Sequence, residues 1–303
     1  MSSTSRLPPG DISQPPSSGR QPPAASRQPS LRSTVLGFAR MAFLEHLAYR
    51  LRYVVGILNY TIYMGVQYFL WSAVYGSTSD AALGGFGFRE LVTYFAVGWV
   101  VRVSTFNNID RELADRVSQG DIVLDLLRPV SLISMRYGEA LGETVFRVLF
   151  MGVPTALVFF PLFGVSGPAP GAAAADTALA VLEFALSAAI SFHLFFLLNH
   201  AIGVSAVFFE RIRGFLWAKF VLVQLLSGLL VPFDLFPAWA RAVLGALPFR
   251  SVIYGPISIW VGHARGAAAA RELVVGAAWT LALWVFNRWL WARARRKLVV
   301  LGG

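Results

Sequence analysis

Few side chains in this 303-residue sequence are equipped for chemistry, and where they sit matters more than how many there are. Asn59 and Gln67 stand eight residues apart in one apolar run, so on a helix they fall near one face. Arg102, Asn107 and Asn108 cluster near the end of the next apolar run. Glu139, Glu143 and Arg147 recur every four residues, the step at which Glu143 and Arg147 can pair on one helix. Polar groups in apolar surroundings must find partners, so these suit recognition and helix pairing rather than bond-making. There is no cysteine, which excludes thiolate chemistry and disulfides. The histidines His46, His193, His200 and His263 are scattered, and His193 and His200 lack the neighbouring ligands of a metal site, so interhelical hydrogen bonds are expected of them. A phosphate-binding loop needs Gly-Lys before Ser or Thr, yet the two lysines, Lys219 and Lys297, follow Ala218 and Arg296. No catalytic residue, metal or cofactor is therefore assigned to this chain, and any use of ATP must come from a partner.

The second chemical feature is the polar segment Asp110–Pro129, lodged between apolar runs. Through Arg136 it carries five acids and four arginines. Ile109, Leu113 and Val117 form a helical stripe, Gly120 breaks it, and Ile122–Leu127 is a second apolar run stopped at Arg128 and Pro129. This pattern is a mixed-charge helix–turn–helix. It reads either as a lever for a soluble partner or as a solvated loop lying on a membrane.

The elements that must position these groups are membrane spans. The chain is 56% hydrophobic and 14% charged, against about 25% charged in soluble domains. Runs of about 20 apolar residues recur, while the short alternating strands of a membrane barrel are absent. The expected fold is all-α and polytopic. Residues 1–30, rich in Pro, Ser and Gln, read as a disordered cytosolic tail. Residues 31–52 read as an amphipathic interfacial helix whose arginines face lipid phosphates. Residues 53–303 hold six spans: Tyr53–Tyr75, Leu91–Asn108, Ala140–Phe163 with a kink at Pro154, Thr177–Phe209, Phe215–Val231 and Leu273–Trp291. The fourth is too long for a ~30 Å hydrocarbon core at ~1.5 Å per residue, so it is expected to tilt, break or project. The cytosolic segment 109–136 lies between spans two and three. Before the last span, the prolines at 232, 237 and 248 bracket a short helix, and Ser251–Gly262 is too short to cross, so this stretch reads as a re-entrant hairpin. Its aromatics suit interfacial anchoring or an outer gate, and Asp234 is placed to cap the short helix.

The arginines set the orientation. With the N-terminus inside, inner segments hold 7, 4, 3 and 5 basic residues, 19 in all, against 5 outside. The positive-inside rule then puts both termini in the cytosol.

The run from Gly120 to Pro129, ending Leu126-Leu127-Arg128-Pro129, resembles the signature of a bacterial group of ABC transporter permeases of the second export type. So does Ser227 to Trp239 together with Leu247-Pro248-Phe249. The resemblance covers roughly residues 31–300, and the six-span layout, surface helix and re-entrant hairpin fit it. It implies a permease subunit of an ATP-driven exporter in the bacterial inner membrane. The permease would pair with a second copy or a sister subunit, dock on cytosolic ATPase subunits that hold ATP and Mg, and have no nucleic-acid partner. It places ATPase coupling on Arg111, Asp115, Arg116, Gly120, Asp121, Asp125, Leu127, Arg128 and Pro129, with a second contact at Glu210, Arg211 and Arg213. Substrate would move along spans one, two and five, past Asn59, Gln67 and Asn107. Pro232, Phe233, Phe236 and Trp239 would form the outer gate. Charge reversal at Asp121 or Asp125, or Gly120→Pro, is expected to uncouple ATP hydrolysis from transport. Two other classes compete: an ion-driven secondary transporter, which would show an internal repeat and mid-membrane charge, and a lipid-modifying intramembrane enzyme, which would need convergent acids.

Overall fold

The computed structural model describes residues 30–49, 51–77, 82–169, 171–209 and 212–301. The tail expected over residues 1–30 therefore lies, Ser30 apart, outside the described residues. Those described form twelve α-helices and one isolated bridge between Leu83 and Phe86. They are α1 (Leu31–Ala48), α2 (Leu51–Ser77), α3 (Phe88–Thr105), α4 (Ile109–Gln119), α5 (Ile122–Leu126), α6 (Leu132–Arg147), α7 (Val153–Phe163), α8 (Ala174–Ser205), α9 (Arg213–Leu226), α10 (Ala238–Gly245), α11 (Phe249–Val261) and α12 (Ala267–Leu301).

Three runs are long and apolar enough to cross a bilayer: Leu132–Phe163, Ala174–Ser205 and Ala267–Leu298. The pair α10–α11 qualifies as a fourth if counted together, but it is bent by 106° at its break, the form of a broken span or a re-entrant loop. The 27-residue α2 is diluted by tyrosines, α3 carries Arg89, Glu90 and Arg102, and α9 has 14 residues. Large apolar side chains stand exposed on α2 (Ile62, Val66, Phe69), α9 (Trp217, Val221) and α12 (Val285, Trp289). Water would not tolerate that much exposed apolar surface, and a bilayer would.

The third apolar run departs from expectation in kind. It starts at Leu132, where Ser131 caps the helix by accepting the Ser134 N–H at 3.3 Å. At Pro154 it widens rather than breaking: Val148–Gly152 is a π-helical turn, with the Val153 N–H bonded back to the Val148 carbonyl. Proline has no N–H for the carbonyl four residues behind it, and a widened turn absorbs the mismatch. The fourth helix, expected over Thr177–Phe209, is one uninterrupted 32-residue helix ending at Ser205. The fifth ends at Leu226, before a turn in which Gly228 has φ +85°.

The buried centre is α8, which packs against α3, α4, α11 and α12. His200 on α8 hydrogen-bonds the Asn287 Oδ1 of α12 at 2.7 Å, and His193 meets the Tyr137 hydroxyl of α6 at 2.9 Å, so both histidines serve as interhelical bonds. Ser191 donates to the Val252 carbonyl of α11. The α1 helix lies along α6, where two glycines four residues apart let the backbones close in. A Cβ at Gly138 would stand 2.7 Å from the Val35 carbonyl oxygen, and one at Gly142 would drive into that of Ala39.

Candidate functional site

The polar segment folds as the helix–turn–helix that its pattern dictates. Ile109 and Leu113 bury the α4 stripe against the bundle, and Gly120 ends the helix with φ +81°, a left-handed conformation that favours glycine. The Arg116 guanidinium then grips Asp125 with two bonds, Nε–H at 2.6 Å and Nη2–H at 2.9 Å, folding α5 back on α4. Arg136 of α6 donates to the same Asp125 carboxylate at 2.6 Å and to Glu139 at 2.7 Å. Asp125 is only 3% exposed, so it is an internal clamp between the hairpin and α6. The outward surface is different: Val123, Leu124 and Leu127 project from the second limb, Leu127 at 77% exposure, bordered by Arg128 and Pro129. Arg111 and Asp115 are exposed on α4, and Asp121 is half-buried at the turn. Glu210 and Arg211 lie outside the described residues, and Arg213 opens α9.

Behind this surface, a buried polar chain ties α4 to the bundle. Asp110 at the start of α4 is 2% exposed and accepts a bond from the Lys219 ammonium of α9 at 2.5 Å. Lys219 also donates to Asn199 Oδ1 of α8 at 2.9 Å, and the Asn199 amide N–H₂ donates to Asn107 Oδ1 at 2.9 Å and to the Asn107 carbonyl at 3.0 Å. Asn107 is thus committed to this network. The sequence reading missed Lys219, Asp110 and Asn199 as a unit. Its one available signal was a lysine inside an apolar run in a chain with only two lysines.

Asn59 and Gln67 do come together, as their eight-residue spacing requires. They line a cavity of about 460 Å³ between α2, α3 and α9, with Tyr63, Trp99, Arg102 and Gln224. The Gln67 carbonyl oxygen accepts the Trp71 indole N–H at 3.2 Å. The neighbouring Glu143–Arg147 pair forms as the spacing predicts, at 2.8 Å and buried.

At the other end, Phe233 is buried, with its ring 5.1 Å from that of Tyr254 and the Arg250 guanidinium 4.8 Å over its face. Pro232 is buried beside it, Phe236 is half-buried, and Trp239 is 74% exposed. Asp234 does not cap α10. It accepts the Tyr254 hydroxyl at 3.0 Å, which holds the turn against α11, while Pro237 takes the cap position. His263 links this turn to α3, with Nε2 2.9 Å from Glu90 and Nδ1 3.8 Å from Asp234. The Asp234 carboxylate, helped by Glu90 and opposed by partial burial, raises the His263 pKa above its ordinary value.

The arrangement offers an exposed hairpin, a buried polar chain and a cavity, and among the described residues no group of three or more His, Cys, Asp or Glu that could hold a metal ion. A family model described as ABC-2 family transporter protein matches residues 61–302 of the 303. No curated protein matches the chain. The match spans α3 through α12 and most of α2, taking in the hairpin, the polar relay and the cavity lining apart from Asn59 and Tyr60. This multi-pass membrane protein belongs to the ABC-2 transporter family, as a permease.

Proposed function

We propose that this permease is the membrane subunit of an ATP-driven exporter, working as a dimer with cytosolic ATPase subunits docked on the α4–α5 hairpin. In this reading α2, α3, α6–α7, α8, α9 and α12 are the six crossings. The 14-residue α9 is continued by the Ser227–Val231 turn, α10–α11 is a re-entrant hairpin on the outer side, and α1 lies at the inner interface. Both termini face the cytosol of a bacterial inner membrane. ATP and Mg belong to the partner.

The observation that carries the proposal is the hairpin itself. An exposed Val123–Leu124–Leu127 face is an unsatisfied apolar surface outside any span. The clamp at Asp125 makes the hairpin one rigid piece, and the Lys219–Asp110 bond links its base to α9. A push on the hairpin would therefore reach α6, α8 and α9 together, and α9 walls the cavity where Asn59 and Gln67 sit. Opening the cavity to one side or the other would follow from that displacement, with Phe233 and its neighbours closing the outer end.

Affinity purification in mild detergent, followed by mass spectrometry, tests this. A Walker-motif ATPase and a second permease copy or paralogue are the expected companions. A chain that emerges alone, under conditions that preserve such complexes, would overturn the proposal.

A further inference from the structure

Arg102 is out of place by every rule that governs buried charge. It is 6% exposed, and its Nη1 is buried without a hydrogen-bond partner among the described residues. Its neighbours are satisfied: Arg147 pairs with Glu143 at 2.8 Å and Lys219 with Asp110 at 2.5 Å. Arg102 has no carboxylate partner among the described residues. Aromatic faces hold it instead, with Phe106 at 4.2 Å, Phe195 at 5.4 Å and Phe220 at 5.9 Å from its guanidinium carbon. Rings stabilise the charge but accept none of its five N–H donors well. A guanidinium cannot shed its proton to escape burial. A buried cation without a carboxylate partner favours an anionic group in any space that it borders.

The surroundings say what that acceptor is attached to. Arg102 lines the cavity between α2, α3 and α9, whose volume of about 460 Å³ falls in the usual range for small-molecule sites. Tyr63, Trp99 and Phe220 supply aromatic wall, and Asn59, Gln67 and Gln224 supply neutral amides. Among the described residues, none that lines the cavity is an acid. One fixed positive charge, no negative charge and an aromatic wall select an apolar or aromatic body carrying an anionic head. The fixed charge of Arg102 repels an organic cation from the same space.

We infer that this cavity binds amphiphilic organic anions, with a carboxylate or phosphate head held by Arg102 and the apolar body against Trp99 and Tyr63. The inference rests on reading the cavity as the transport pathway and names the substrate class for it. The head could belong to a free organic acid or to a membrane lipid, and the chemistry of recognition is the same.

Equilibrium binding to the full-length permease complex, reconstituted in discs of zwitterionic lipid without ATP, provides the test. The probes are pyrenebutyrate and pyrenebutylamine, one body with opposite charges, followed by quenching of tryptophan fluorescence. Pyrenebutyrate should bind well and the amine poorly. Loss of a charge-assisted, bidentate contact should weaken pyrenebutyrate by roughly 10- to 100-fold in Arg102→Gln. Arg102→Lys should recover part of that, as it keeps the charge and loses the fork. Should Arg102→Gln fail to fold, Gln67→Glu serves instead. It preserves the acceptor for Trp71, places a carboxylate in the cavity opposite the Arg102 charge, and should abolish the preference for pyrenebutyrate over the amine. Competition by discs containing an anionic phospholipid would assign the head group to lipid, and no competition would assign it to a free acid. Equal binding of the two probes to the parent protein would overturn the inference. So would pyrenebutyrate binding that neither substitution changes, which would leave Arg102 a structural cation. Because no ATPase or transport enters the measurement, charge-selective binding without transport would overturn only the pathway reading. Transport of a substrate whose binding ignores Arg102 would overturn only the charge selection.

Discussion

Asp125 gives the sharpest test of how the hairpin is held. In Asp125→Ala the carboxylate that accepts from both Arg116 and Arg136 disappears. The two arginines respond differently. The Arg116 side chain is 29% exposed and can turn to water, so its share is at most about 1 kcal/mol. The Arg136 side chain is 6% exposed and cannot. Removing one partner from a buried pair costs about 3–5 kcal/mol. Arg136 keeps Glu139 at 2.7 Å, which places the loss near the low end, about 3 kcal/mol. At roughly 2 °C per kcal/mol for a large chain, Tm should fall by about 6 °C. The assay is thermal unfolding of the purified protein in detergent, read by tryptophan fluorescence, beside Asp121→Ala. The Asp121 side chain has no hydrogen bond or ion pair among the described residues, so that variant should shift Tm by under about 1 °C. If Asp121 contacts an ATPase, its charge reversal should still lower ATPase–transport coupling, whereas reversal at Asp125 would act by unclamping the hairpin. An unchanged Tm in Asp125→Ala, or equal losses in both variants, would refute the clamp.

Gly120→Ala must hold φ +81° with a Cβ, so it should cost about 1–2 kcal/mol, and Gly120→Pro, locked near −65°, should separate α4 from α5 altogether; protease sensitivity between the two limbs reads both. Lys219→Met strands a buried Asp110 and should destabilise by about 3–5 kcal/mol, while the double variant Lys219→Met, Asp110→Asn should recover most of it by denaturant titration. His263 lies between Asp234 and Glu90, and chiefly the Asp234 carboxylate raises its folded-state pKa above the unfolded value of about 6.5. Its contribution to stability is complete below that pH and is lost as pH rises through the raised folded value. Amide protection factors around Phe86–Glu90, corrected for the base-catalysed intrinsic rate, should therefore fall on going from acid to mildly alkaline buffer in the parent protein and stay level in His263→Gln.

The sequence by itself determined what local chemistry can determine. Long apolar runs required helices, because backbone groups in lipid must be satisfied within their own segment. Gly120 required the break it makes, Glu143 and Arg147 met because four residues is about one helical turn, and Asn59 and Gln67 shared a cavity because a step of eight residues returns to within about 80° of the same face. Partners across helices were another matter. Asp110 and Lys219 lie 109 residues apart and Asn107 and Asn199 lie 92 apart, so no periodicity links them. Asp125, which looked like an outward contact, became an internal clamp only because α6 delivers Arg136 to it. Asp234 was placed to cap a helix and instead took the Tyr254 hydroxyl, because α11 folds back over the turn. Arg102 shows the limit most plainly. Its charge was visible from the start, and its lack of a partner was not, since whether a carboxylate stands within reach depends on which helix faces meet. Spacing fixes where side chains lie on one helix, and the packing of helices against one another decides which of them are left to meet a ligand.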